Sequence, residues 1–520
     1  MATANRFSIL VALIVALGGF LMGFDASVIS GVVGFIETEF ALTKIQLGWS
    51  VASLTLTATL AMMLAGPISD RVGRRPVLKV AALLFAVSAV WSALAPDFIS
   101  LVMARMLGGL GVGAALIIAP MYIAEIAPPA QRGRMVSFNQ LNIVLGISIA
   151  FFSNYLILRL GQSGLEWAGA LGLDAHPWRW MLGVESLPAV IYFFALFLVP
   201  ESPRWLAMQG RRDEALAVFA KASDEATAKA NLAAVEQSLH DADSAAKLPL
   251  KELFAPAMRL VLTIGVSVAI LQQITGINSV FFYAPMIFEQ SGVGTDAAFM
   301  QAVLVGIVNL VFTVTAMLLI DRLGRRPLLG FGLAGIAVCM FLLSYGFGSA
   351  TYTLPADIDL PPGVDKAALQ QVLDVEFGSD VEFREGVSAA IGAQAFKENE
   401  SLLVSAAVDL NAALILFGIL GFVASFAVSL GPVMWVLFSE LFPNQLRGLA
   451  ISFAGLINSA VSFGVQLVFP WELENLGNAL TFLIYGGFAV IGLVLLMRIL
   501  PETRGRSLEE LEDLLVGEKQ

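Results

Sequence analysis

Apolar runs of spanning length govern what this chain can fold into. A helix that crosses a bilayer needs about 20 mostly apolar residues. Twelve such runs occur, at 7–34, 45–68, 77–95, 98–124, 135–159, 178–199, 257–290, 298–320, 327–348, 410–438, 447–469 and 478–499. They do not alternate with period two, so helices rather than a closed barrel satisfy the backbone in lipid. Composition agrees: of 520 residues, 58% are hydrophobic and 14% charged, where a soluble domain carries about 25% charged. Mean hydropathy is +0.82. The same balance excludes a disordered chain. The expected fold class is an all-α membrane protein.

The net charge of −11 and a pI near 4.9 leave no basic footprint for nucleic acid. One cysteine, Cys339, allows no disulfide within the chain, and two distant histidines, His176 and His240, suggest no metal cluster. No metal or other cofactor is expected. No nucleophile–base pair falls at one membrane depth, so an enzyme is not expected either. The N-terminal run MATANRFSILVALIVALGGF continues past the length of a signal-peptide core and reads as the first spanning helix.

Lysine and arginine set the orientation. With the N-terminus cytoplasmic, 23 of the 30 fall inside and six outside, with Arg105 inside a helix. Both termini are therefore placed in the cytoplasm. The expected organisation is an N-terminal six-helix bundle (1–199), a cytoplasmic linker of short amphipathic helices (200–256), a C-terminal six-helix bundle (257–499) and a cytoplasmic tail (500–520). Residues 350–408, between helices 9 and 10, form an acidic insertion facing outside, with ten acidic and three basic residues. It reads either as a solvated appendage or as a small outer lid or partner-binding module. Its Asn399-Glu400-Ser401 sequon matters only in a eukaryotic secretory pathway.

The halves repeat. Asp70-Arg71-Val72-Gly73-Arg74-Arg75-Pro76 recurs as Asp321-Arg322-Leu323-Gly324-Arg325-Arg326-Pro327. Glu125 with Arg132-Gly133 recurs as Glu440 with Arg447-Gly448, and Pro200-Glu201-Ser202 as Pro501-Glu502-Thr503. Each copy lies at a cytoplasmic loop. Two facing halves enclose a midplane site, which rocking exposes to alternate sides. The recurring charges Asp70, Arg74, Arg75, Glu125, Arg132, Glu201, Asp321, Arg325, Arg326, Glu440, Arg447 and Glu502 suit a cytoplasmic salt-bridge latch holding the outward-open state. The alternative is that the arginines only obey the positive-inside rule, which does not call for the acidic partners.

Together these motifs, with Pro200-Glu201-Ser202-Pro203-Arg204-Trp205, Gln272-Gln273-Ile274-Thr275-Gly276-Ile277-Asn278, Gly431-Pro432 with Trp435, and Pro501-Glu502-Thr503-Arg504-Gly505, make the chain resemble the sugar porter family of the major facilitator superfamily. Within it, the chain is most similar to bacterial xylose–proton symporters, over nearly everything except 350–408. The resemblance implies the major facilitator fold, with twelve transmembrane helices in two six-helix bundles and cytoplasmic surface helices.

A sugar hydroxyl is both donor and acceptor, and an uncharged amide matches it with one side chain. At about 1.5 Å per residue, Gln272, Gln273 and Asn278 lie around and beyond the middle of helix 7, and Asn309 and Asn458 reach similar depth. Gly276 and Gly431-Pro432 mark places where helices 7 and 10 can bend. By resemblance, Gln140, Gln272, Gln273, Asn278, Asn309, Trp435 and Asn458 match sugar-contacting positions, and Gly431 a backbone contact. Intramembrane amides also glue helices together. Ile147, Phe282, Asn458 and Ser459 depart from the symporter or glucose-transporter pattern, which leaves the sugar open.

Asp25 lies within GGFLMGFDASVISG in the first helix, where a carboxylate is costly and functional by default. Arg105 and Glu185 fall at similar depth. A movement that changes the Asp25–Arg105 distance changes the carboxyl's proton affinity. By resemblance the three match a proton-coupling trio, and Asp25 stands where uniporting glucose transporters have asparagine. A static ion pair is the alternative. The expected function is proton-coupled symport of a pentose or hexose by a monomer in the plasma membrane, or the inner membrane of a bacterium. A facilitative uniporter and a transport-deficient sugar sensor are the competing readings.

Overall fold

The computed structural model describes residues 2–127, 132–223, 225–244, 250–358, 366–443, 446–504 and 510–511. The first part of the chain forms α1 (Ala2–Val28), α2 (Val33–Glu39), α3 (Lys44–Val72), α4 (Arg74–Leu94), α5 (Phe98–Ile126), α6 (Arg132–Gly161), the short α7 (Glu166–Ala170), α8 (Pro177–Gly183) and α9 (Ser186–Ala195). The linker holds α10 (Pro203–Met208), α11 (Arg212–Ala222) and α12 (Glu225–Ser244). Then come α13 (Arg259–Ile274), α14 (Ile277–Glu289), α15 (Thr295–Leu323) and α16 (Arg325–Gly348). The insertion contributes β1 (Thr351–Thr353), α17 (Lys366–Leu369), β2 (Glu376–Phe377), α18 (Asp380–Ile391), α19 (Ala393–Ala407) and β3 (Val408–Asp409). Last are α20 (Ala412–Val428), α21 (Leu430–Leu441), α22 (Arg447–Asn475) and α23 (Gly477–Ile499).

Among the described residues, eleven helical segments are long and apolar enough to cross a membrane. The expected sixth is the α8–α9 pair, interrupted at Val184-Glu185. Pro188 has no N–H to offer the Val184 carbonyl, which accepts instead from Leu187 N at 3.2 Å. The chain tightens locally and continues. Helix 7 is likewise two pieces, α13 and α14, parted at Gly276 with φ +90°. Helix 10 breaks at Ser429 (φ −124°, ψ −95°), between α20 and α21. The repeated motif places one glycine at the same kind of corner twice: Gly73 (φ +103°) between α3 and α4, and Gly324 (φ +93°) between α15 and α16. Only glycine adopts that backbone freely.

Contacts divide the chain into two compact units. One comprises Met1–Val28, Ser53–Ala150 and Arg179–Pro249; the other Ile29–Ala52, Phe151–Trp178 and Leu250–Gln520. The first has a core of Leu21, Phe85, Ile118, Tyr122 and Tyr192, against which the linker's Trp205 and Phe219 also pack. The second gathers, besides the C-terminal half, the stretches around the α1–α3 and α6–α8 connections. Glycine permits part of this grouping: a Cβ on Gly48 would sit 2.0 Å from the Leu467 carbonyl oxygen. Trp49 meets Phe463 edge-on, and Arg159 pairs with Asp296 at 2.8 Å.

The described residues of the insertion, 350–358 and 366–408, are folded. Its three short strands form a sheet ordered β2-β1-β3, antiparallel, with Tyr352 opposite Phe377 on one side and Val408 on the other. Under it Tyr352, Leu369, Phe383, Val387, Phe396 and Leu403 make a small core.

Candidate functional site

The first unit holds the ionisable trio. Asp25, Arg105 and Glu185 are each only 2% exposed. The Arg105 Nη1 donates to Asp25 Oδ1 at 2.5 Å and to the Asp25 carbonyl at 3.0 Å. Glu185, at the α8–α9 break, lies within electrostatic reach of both. One guanidinium thus serves two buried carboxyls, and three polar atoms, Asp25 Oδ2, Arg105 Nε and Glu185 Oε1, have no hydrogen-bond partner. An isolated buried carboxylate is too costly to leave unbalanced. A proton on either carboxyl removes the excess charge. Asp25 fits because residue 108 is glycine: a Cβ there would stand 2.7 Å from Asp25 Oδ2 and 2.6 Å from Ser88 Oγ.

The second unit holds the amides. Asn458 on α22 donates to Gln272 Oε1 at 2.7 Å and to the Ala269 carbonyl at 2.9 Å. Gln273 Nε2 donates to Gln272 Oε1 at 3.1 Å and Asn458 Oδ1 at 3.3 Å. Asn278 Nδ2 donates to Gln273 Oε1 and Ser462 Oγ, both at 2.8 Å. The kink at Gly276 lets Gln272 and Gln273, before it, and Asn278, after it, join one network. The break at Ser429 leaves the Leu430 carbonyl 3.5 Å from Gln272 Nε2, one residue from the expected backbone contact at Gly431. Amides so linked in chains polarise one another and hold fixed orientations. A hydroxylated ligand replaces amide–amide bonds with its own at little net cost in bond number.

The other expected sugar contacts stand apart from this network. Asn309 is buried on α15, and Trp435 on α21 is 43% exposed with its ring edge-on to Phe438. Gln140 is an exposed residue of α6 in the first unit. Sequence reasoning missed Ser462 and Gln466, whose side chains are joined at 2.7 Å. With Asn458 they are spaced i, i+4, i+8 along α22, so they share one face of the helix.

The charges of the repeated motifs close within each unit. Arg74 makes a bidentate pair with Glu125 at 3.0 and 3.1 Å and reaches Asp70 at 2.8 Å. Glu201 caps α4, its Oε1 accepting from Arg74 N at 3.0 Å and Arg75 N at 3.2 Å. The second copy repeats the design: Arg325 pairs with Glu440 at 2.7 Å, and Glu502 accepts from Arg325 N and Arg326 N at 3.0 and 3.1 Å. Carboxylates belong at helix N-termini, where four N–H groups lack helical partners. Arg75 and Arg326 bond instead to the carbonyls of Leu196 and Met497, and Arg447 to that of Phe442. Ser202 and Thr503, which the repeat contains but the reading did not single out, donate to Glu125 and Glu440 at 2.5 and 2.7 Å. The side chains of Arg132 and Asp321 lie outside the described residues.

Comparison with known proteins agrees with this architecture. The chain is 35% identical to the arabinose-proton symporter of Bacillus subtilis, over 98% of this chain and 95% of that one. It is 34% identical to the D-xylose-proton symporter of Escherichia coli, over 97% and 95%. An inward-open structure of the E. coli xylose transporter superposes with a TM-score of 0.74 at 32% identity, covering 97% of this chain and 99% of that one. The model of the family described as sugar (and other) transporter matches residues 11–357 and 386–515. The stretch it skips, 358–385, is narrower than the 350–408 expected to lack a family counterpart, so α19 and the second half of α18 belong to the matched pattern. On the family model and these relatives, the chain belongs to the sugar (and other) transporter family and is an integral membrane protein of the major facilitator fold.

Proposed function

We propose that the chain is a proton-coupled monosaccharide symporter that takes up a pentose or hexose by alternating access. The observation that carries this reading is the buried Asp25–Arg105 contact, at 2.5 Å, beside a second buried carboxyl at Glu185. Two carboxyls around one guanidinium give a place where a proton is held when the pair loosens and released when it closes. The amide network of Gln272, Gln273, Asn278 and Asn458 is the sugar site, with Asn309, Gly431 and Trp435 of the same unit adding contacts, and Gln140 of the first unit is the further sugar-contacting residue that the resemblance implies. The twin cytoplasmic ion networks steady the inner ends of the helices. In this reading the proton is the coupling ion and no cofactor takes part. The monomer is the working unit, in the plasma membrane or a bacterial inner membrane, with both termini cytoplasmic. The named relatives support it, since two are proton symporters of pentoses.

The test is uptake in proteoliposomes, using a panel of pentoses and hexoses with and without an inward proton gradient. Accumulation above the equilibrium level is expected only with the gradient. Asp25→Asn is expected to abolish accumulation while sparing sugar counterflow. Wild-type uptake indifferent to the gradient would leave facilitated uniport instead.

A further inference from the structure

The outer insertion carries a set of buried charges that transport chemistry does not use. Arg384 on α18 pairs with Glu400 on α19 at 2.7 Å. Glu400 also lies 3.9 Å from Lys44, at the start of α3. Lys44 pairs with Glu37 of α2 at 2.7 Å. Lys397, one turn before Glu400, sits 3.9 Å from Glu37 and donates to the Leu42 carbonyl. Glu37 and Arg384 are buried, and the other side chains are at most 23% exposed. Burial alone would raise the Glu400 carboxyl, but Arg384, Lys44 and Lys397 together bring it below the ordinary range.

These charges join two different parts of the sequence. Glu37 and Lys44 flank the outer turn of the first repeat. Arg384, Lys397 and Glu400 belong to the insertion of the second repeat. The base of the insertion is fixed elsewhere: Asp380 accepts from Asn478 N at 3.1 Å and from its Nδ2 at 2.8 Å, at the start of α23. One end of the insertion is thus anchored in the second repeat, and the other reaches the α2–α3 turn of the first. Four of these charges, Glu37, Lys44, Lys397 and Glu400, line a cavity of about 120 Å³ together with Gly34, Met286, Glu289 and Gln290. Gln290 Oε1 there is buried and has no hydrogen-bond partner.

We propose that the insertion is an ionic strap across the outer mouth, in which Lys397, Glu400 and Arg384 hold the α2–α3 turn and stabilise the outward-closed state. The proposal rests on the alternating-access reading, because opening to the outside must part the outer ends of the two repeats. The joint is ionic rather than apolar. Lys397 is the second cation facing Glu37 and the donor to the Leu42 carbonyl, so its loss removes one of the two links between α19 and the α2–α3 turn and shifts the balance toward the open mouth. Lys397 and Glu400, the most exposed of the set at 23% and 21%, are where external salt reaches the strap, and once the mouth starts to open salt screens the parted charges and slows their re-pairing. The strap acts only through its difference between the two states.

The test uses the full-length protein in proteoliposomes, with Cys339→Ser and a single reporter, Gln290→Cys, on the cavity floor. A membrane-impermeant maleimide reads outward opening. Lys397→Met keeps the side-chain stem and removes the charge, and is expected to raise the labelling rate about tenfold, the effect of a ~1.4 kcal/mol shift. High external salt is expected to speed labelling of the unmutated strap and leave Lys397→Met unchanged. Equal rates with and without Lys397, or a rate of the unmutated strap that ignores salt, would overturn the proposal. The salt arm needs no strap variant, so misfolding of one cannot mask the result. Sugar accumulation measured in the same vesicles separates the two readings. Labelling shifts without gradient-driven accumulation leave the strap and sink the symport, and accumulation without the shifts does the reverse.

Discussion

Asp25 was legible as a candidate because a carboxylate in an apolar helix is expensive. What makes its burial feasible was not. Room for the carboxyl comes from Gly108, an ordinary-looking glycine in a helix with several, and its role appears only when a neighbouring helix is placed against it. The amides divide the same way. Gln272, Gln273 and Asn278 announced themselves, whereas Ser462 did not, since serine is common in such helices. The Leu430 carbonyl could not announce itself, because its availability depends on the break at Ser429. Gly108→Ala tests the point about room. The added methyl must displace Asp25 Oδ2 or Ser88 Oγ, both under 3.0 Å away, and overpacking of this kind costs about 1–3 kcal/mol. The expected outcome is a loss of gradient-driven accumulation and an altered pH profile of uptake, with sugar counterflow retained. An unchanged pH profile would mean that the tight seat of Asp25 is not needed.

Hydropathy located eleven of the spanning elements because each is a continuous apolar run, which survives the breaks in helices 7 and 10 and is the signal a sliding reading detects best. It could not see that the sixth would divide at Val184-Glu185, which turns on one proline and one carbonyl. Nor could it see the fold of the insertion. Its strands have three, two and two residues, below the length at which alternation can be recognised. The bend in helix 7 was anticipated from Gly276, and the structure adds why it must stay glycine. Its φ is +90°, and a Cβ would stand 2.4 Å from Tyr485 Cδ2. Left-handed backbone at a residue with a side chain costs about 1–2 kcal/mol, before the clash. Gly276→Ala is expected to lower the thermal midpoint and to raise the sugar KM in counterflow, because the kink is what brings Asn278 back to Gln273. Tyr485→Leu in the same chain removes the ring and not the strain, so it should recover only part of the loss. Full recovery would assign the whole effect to the clash.

The internal repeat was the most legible feature of the whole molecule, since short charged motifs recurring in order need no structural help to find. The actual grouping of the chain was less so. Sequence reasoning cut it near 199 and 257, whereas contacts assign Ile29–Ala52 and Phe151–Trp178 to the unit that holds the second half. Such grouping depends on close backbone approaches, as at Gly48, that leave little trace in hydropathy.

The repeat also makes a prediction about independence. In each copy a carboxylate caps one helix and the paired arginine binds a second acid, all within one compact unit: Glu201 with Arg74 and Glu125 in one, Glu502 with Arg325 and Glu440 in the other. Neutralising Glu201 or Glu502 should each remove a charge-assisted cap and lower stability by about 1–2 kcal/mol. Because the two networks share no residue, Glu201→Gln and Glu502→Gln should add in the double variant to within about 0.5 kcal/mol. Thermal or denaturant unfolding in detergent, fitted for all three variants, checks this. A double variant markedly less destabilised than the sum would show that the two networks depend on each other, as a single latch joining them requires. Additivity would make them two separate braces, each keeping its own bundle rigid while the bundles move.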